Sequence, residues 1–164
     1  QRPGHLRLIT DKVVETLREA FNMLTQRPFA HYDHAVSTIG TVKMDVDAMK
    51  DGDIAGLAVF QDPYAYIAVK REKGGMNLIM VNNGELVASV PLRSTIIYLR
   101  SILSNSTEKA NFAYSYDNRV FQRLGNELKM RFSLKVFTGN KFGLFNYATL
   151  EPGGHVDFDW FTMN

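Results

Sequence analysis

The chain has 164 residues, of which 45% are hydrophobic and 22% charged, and a formal net charge of +2. That length suits one domain with a full hydrophobic core, and the near-neutral balance excludes a strong nucleic-acid-binding or membrane-surface field. The absence of cysteine excludes disulfides, thiolate metal centres and cysteine nucleophiles, and no apolar run is long enough for a membrane-spanning helix.

The first segment, "QRPGHLRL" (1–8), reads as a connector from a longer chain rather than as a signal peptide. In "DKVVETLREAFNML" (11–24), Val13, Val14, Leu17, Ala20, Phe21 and Leu24 recur at helical spacing, which predicts a short helix over about 11–19 lying on the edge of the fold. "HYDH" (31–34) places His31 and His34 three apart. That spacing suits zinc on a helix, but the surroundings look extended, so these read as surface histidines. "VKMDVDAMKDGD" (42–53) is rich in aspartate but lacks the glycine and terminal glutamate of a calcium-binding EF-hand loop, and reads as a solvated loop.

From there the period is two. "YAYIAVKR" (64–71) sets Tyr64, Tyr66 and Ala68 against Ala65, Ile67 and Val69. "NLIMVNNGELVASV" (77–90) is a hairpin whose Asn83-Gly84 supplies the positive φ angles of a tight turn. "TIIYLRSIL" (95–103) is a strand. "NFAYSYDNRVFQRLG" (111–125) is a second hairpin, turning near Asp117-Asn118-Arg119, with Phe112, Tyr114 and Tyr116 on one face. "KFGLFNYAT" (141–149) is a further strand, and in "HVDFDWF" (155–161) Val156, Phe158 and Trp160 alternate with Asp157 and Asp159. That alternation assigns Val156, Phe158 and Trp160 to the core, as it does Phe112, Phe142 and Phe145. Short strands broken by turn signals about every eight to twelve residues predict an all-β sandwich. No Ser-His-Asp constellation and no glycine-rich phosphate loop stands out.

Four stretches resemble the C-terminal module of family 43 glycoside hydrolases, the β-xylosidases and α-L-arabinofuranosidases: "NMLTQRPF" (22–29), "MKDGDIAGLAVFQDPYAYIAVKR" (49–71), "FAYSYDNRVFQRLG" (112–125) and "FTGNKFGLFNYATLEPGGHVDFDWF" (137–161). The resemblance implies a concanavalin-A-like jelly-roll β-sandwich, with residues 1–10 as the connector from a catalytic propeller and 11–164 as the module. It implies a non-catalytic carbohydrate-binding role towards xylan or xylo-oligosaccharides, with a family 43 catalytic domain as partner in cis. The alternative it leaves open is a structural accessory domain that stabilises the propeller and completes its active site without binding sugar independently.

In such a module sugar rings pack on aromatic faces, and hydroxyls need amides, carboxylates or phenols. The candidates are Tyr64, Tyr66, Tyr114, Tyr116 and Tyr147 as platforms, with Gln61, Asp62 and Asn146 as polar partners; Tyr64, following Asp62-Pro63 at a turn, is the leading one. Phe137 and Thr138, in "FTGNK" (137–141), are the candidate contacts with the catalytic domain. The family's hydrolytic carboxylates belong to its propeller, so Asp157 and Asp159 are not a catalytic pair. Two same-face carboxylates need compensation. Either a structural calcium held by Asp159 and Asp157 provides it, or neighbouring Arg, Lys or backbone amides do.

Overall fold

Strand-forming residues dominate the chain, and the computed structural model, which describes residues 2–28, 36–131 and 139–164, places them in two antiparallel sheets. The first holds β1 (Leu6–Ile9), β3 (Thr38–Asp45), β8 (Ile96–Ser104), β9 (Lys109–Ser115), β10 (Gln122–Arg123), β11 (Leu128–Lys129) and β13 (His155–Met163). Its order is β1-β13-β3-β8-β9-β10, with β11 also on β9. The second holds β2 (Met23–Gln26), β4 (Asp53–Phe60), β5 (Ala65–Glu72), β6 (Gly75–Asn82), β7 (Glu85–Pro91) and β12 (Lys141–Ala148), in the order β2-β12-β4-β5-β6-β7. The predicted β-sandwich is therefore the observed architecture, and the β6–β7 hairpin turns on Asn83 and Gly84, both at positive φ.

Alternation builds the core between the sheets. Val42, Met44, Ile97, Leu99, Phe112 and Phe158 meet Leu57, Ile67, Leu78, Met80 and Phe142 there. The six-stranded sheet is buried on its outer face as well. Ile54, Ala58, Tyr64, Tyr66, Ala68, Phe145 and Tyr147 form a second cluster with Val14 and Leu17. That second layer explains why β4 and β12 read as nearly continuous apolar runs rather than alternating ones.

Two expectations change. The helix over 11–19 is reduced to one 3-10 turn, Leu17–Glu19. Val13 instead forms a bridge with Ala148, and the Val14 amide donates to the Ala148 carbonyl at 2.9 Å, so the segment lies extended on the sheet. Its apolar spacing serves packing, with Leu17 fully buried. Within residues 1–10, read as a connector, β1 pairs with β13 in register Leu6↔Phe158 to Ile9↔His155.

The second change concerns β13. Its register against β3 shifts between Phe158 and Trp160, a β-bulge at Asp159. The extra residue inverts the alternation beyond it. Phe161, not Trp160, packs inward, 5.9 Å between ring centroids from Phe142, and Trp160 turns to the outer face beside Tyr98, also at 5.9 Å.

Candidate functional site

The tyrosines expected to form a sugar platform on the six-stranded sheet do come together, but under cover. Tyr64, Tyr66 and Tyr147 are 5%, 5% and 4% exposed, closed over by Val14, Leu17, Ala20 and Met23 from the N-terminal segment. The Tyr66 and Tyr147 hydroxyls share a hydrogen bond of 3.1 Å, and burial pushes both phenols above their ordinary pKa. Arg18 lies 4.8 Å above the Tyr64 ring and donates to Asp62 at 2.9 Å, so the rim where Tyr64 was expected to stand open is capped. The three rings are therefore packed within the chain rather than open on the sheet.

The remaining candidates scatter. Asn146 is 1% exposed and donates to the Leu8 carbonyl at 2.8 Å, tying β12 to β1. Tyr114 and Tyr116 lie on β9 and just past it, on the other sheet, edge to face at 5.8 Å. The Tyr114 hydroxyl donates to Gln122 at 2.8 Å, and the Tyr116 hydroxyl accepts from the Arg93 amide at 3.2 Å. Gln61 reaches a sizeable concavity. It lines a cavity of about 240 Å³ at one end of the sandwich, with Pro28, Leu103, Met130, Arg131 and Asn140 among its walls. Among the described residues no hydrogen-bond donor meets the buried Asn140 side-chain carbonyl there, leaving an acceptor for a ligand hydroxyl or water. Phe137 and Thr138 precede this wall but lie outside the described residues, as do His31 and His34.

The opposed carboxylates of β13 are neutralised from within the chain. Asp157 accepts from Arg7 Nε and Nη2, each at 2.7 Å, and from Arg2 at 3.4 Å. Asp159 takes the Lys43 ammonium at 2.7 Å, with His5 at 3.8 Å. These donors hold both carboxyls below the usual aspartate range. The chain's own cations thus meet both carboxylates, which is the alternative to calcium that the sequence left open. Among the described residues no cluster of three or more His, Asp or Glu converges. Neither acid carries the raised pKa that marks a general acid.

The bulge exposes residues that the period-two reading missed. Trp160, Lys43 and Tyr98 lie in register across β13, β3 and β8 on the outer face of the seven-stranded sheet. In the next row Thr41 pairs with Arg100, whose Nε donates to the Thr41 hydroxyl at 3.0 Å and whose guanidinium lies 3.5 Å over Phe121. The adjacent aromatics Trp160-Phe161, at the end of a strictly alternating run, are the signal in the sequence that marks the bulge.

A family model described as the beta-xylosidase C-terminal concanavalin A-like domain matches residues 1–164, the whole chain. The chain belongs to that family. The domain is 28% identical to a protein named beta-xylosidase from Formosa agariphila, covering all of this chain and 30% of the relative. Among solved structures it is 38% identical to a bifunctional GH43-CE protein of Bacteroides eggerthii, at a TM-score of 0.92 over 99% of this chain and 21% of that one. It is 32% identical, at a TM-score of 0.90 over 98% of this chain and 34% of the other, to a GH43 glycoside hydrolase engineered for endo-xylanase and exo-arabinofuranosidase activity. The domain thus spans about a third or less of these relatives, and it is their C-terminal, non-catalytic part.

Proposed function

We propose that this concanavalin A-like domain is an accessory module acting in cis with a family 43 catalytic domain on xylan-derived substrates, holding that domain and shaping access to its active site rather than gripping sugar through Tyr64, Tyr66 and Tyr147. The observation that carries this reading is the closure of the outer face of the six-stranded sheet by residues 13–23, which leaves Tyr64, Tyr66 and Tyr147 buried. The end bearing Gln61, Arg131 and Asn140 is the docking end, because its cavity is lined by Gly139 and Asn140, which lead directly into β12. The β1 pairing and the Arg2 and Arg7 ion pairs fix the segment entering the module, so a preceding domain is held at a set angle. The module itself hydrolyses nothing, since Asp157 and Asp159 are committed to structural ion pairs.

A chimera tests this. In the B. eggerthii relative, deletion of its own module is expected to lower aryl-xyloside hydrolysis or thermal stability, and this chain in its place is expected to restore them. The isolated chain is expected to show no turnover. A deleted enzyme as active and stable as the parent, or a chimera that regains nothing, overturns the reading; so does turnover by the isolated chain that is lost in Asp157→Asn.

A further inference from the structure

The outer face of the seven-stranded sheet combines features that the accessory role does not use. The bulge at Asp159 turns the single tryptophan of the chain outward, and bulges commonly re-aim a side chain at a functional position. Trp160 and Tyr98 stand 5.9 Å apart, tilted at 45°, bracketing Lys43 on the strand between them. Half-buried rings set in a sheet offer rigid apolar faces for the C–H side of a pyranose.

Beside them, Arg100 is a cation without an acid. Every other arginine or lysine named on this face has a carboxylate partner: Arg2 and Arg7 on Asp157, Lys43 on Asp159. Arg100 has the Thr41 hydroxyl on Nε and the Phe121 ring against its plane, and no carboxylate reaches its terminal nitrogens among the described residues. Stacking and the Nε bond fix the guanidinium, leaving its two-pronged edge for an oxyanion. Tyr98 and Arg100 are two apart on β8 and face the same way, about 7 Å apart along the strand. That separation is on the scale of a sugar ring and its substituent.

From this we infer that the Trp160–Tyr98–Arg100 face binds a uronic-acid-substituted xylan chain, with backbone rings on Trp160 and Tyr98 and the uronate carboxylate on Arg100. An unpaired guanidinium next to sugar-sized aromatic faces fits an acidic sugar better than a neutral one, and it fits a glycan better than an apolar protein surface because the rings are interrupted by the Lys43–Asp159 pair. The inference stands apart from the docking end, which lies elsewhere on the module.

The experiment uses the intact chain and the fluorescence of Trp160. The probes are a xylo-oligosaccharide carrying one glucuronic acid and the same oligosaccharide with that acid reduced to the neutral alcohol. Saturable quenching by the acidic probe is expected in the millimolar range, with at least about fivefold weaker binding of the reduced probe. Arg100→Gln is expected to remove the difference between the probes, and Arg100→Lys to keep part of it. Trp160→Phe, followed by calorimetry, is expected to retain binding that Trp160→Ala loses. Equal affinity for the two probes, no quenching, or a preference unchanged in Arg100→Gln overturns the inference. So does protection of Trp160 from iodide by an added family 43 catalytic domain and not by the oligosaccharide, which would make this face a protein interface. Failure of the chimera above leaves these outcomes unaffected.

Discussion

Asp157 shows how a residue with the outward signs of a functional acid is used for structure. Its side chain is 6% exposed and meets a bidentate guanidinium, and charge-assisted bonds in such a setting are the stronger ones. Asp157→Asn keeps the shape but removes the charge that Arg7 and Arg2 face. The expected loss is about 1–2 kcal/mol, moderated because both arginines retain contact with water. Urea unfolding of the variant measures it, and an unchanged midpoint would mean the pair is neutral in the balance. Tyr66 and Tyr147 make the same point on the other sheet: their hydroxyls satisfy one another at 3.1 Å, so two phenols that look available for a ligand are consumed by packing.

At the scale of elements, the decisive feature is the bulge in β13. Before it, Val156 and Phe158 enter the core; after it, Phe161 does, and Trp160 faces out. The two neighbouring aromatics therefore differ in what they contribute. Phe161→Ala removes a ring packed on Phe142 and is expected to cost about 2–4 kcal/mol. Trp160→Ala, on the open face, is expected to cost about 1 kcal/mol. Chemical denaturation of the pair of variants checks the order, and a larger loss at Trp160 would place the indole in the core and remove the bulge. The N-terminal segment is the second element that reshapes the molecule. Leu17, fully buried, seats it over the sheet's outer face, turning what would be an open sheet into a three-layered end.

For the whole molecule, acid is the simplest probe. Carboxyls held low by partners, Glu72 by Lys70, Glu127 by Lys109, Asp157 by Arg7 and Asp159 by Lys43, contribute stability above their unfolded pKa and lose it as pH falls through the folded one. Asp117, whose carboxylate accepts from the Val120 and Arg119 amides, is lowered to about 2. Asp53 works in the opposite sense. Burial raises it, so its contribution is present below its unfolded pKa and declines as pH rises through the folded value. With more groups lowered than raised, the melting temperature is expected to fall as pH drops from about 4 towards about 2. Melts followed by circular dichroism check it, and a flat profile across that interval would show that the ion pairs carry no net stability.

The sequence by itself determined the all-β sandwich, the Asn83-Gly84 hairpin and the kinship with the family 43 C-terminal domain, because these rest on local alternation, on turn residues and on long irregular motifs. Only the tertiary structure decided which faces are open. A tyrosine has the same identity whether water or Leu17 lies over it, and residues 13–23 cover Tyr64 from far along the chain. One extra residue in β13 reverses a whole face, since side chains alternate with a period of two. The charge on Asp157 and Asp159 was legible; that Arg7 and Lys43 answer it was not, because those partners are 150 and 116 residues away, and only the pairing of β1 and β3 with β13 brings them there.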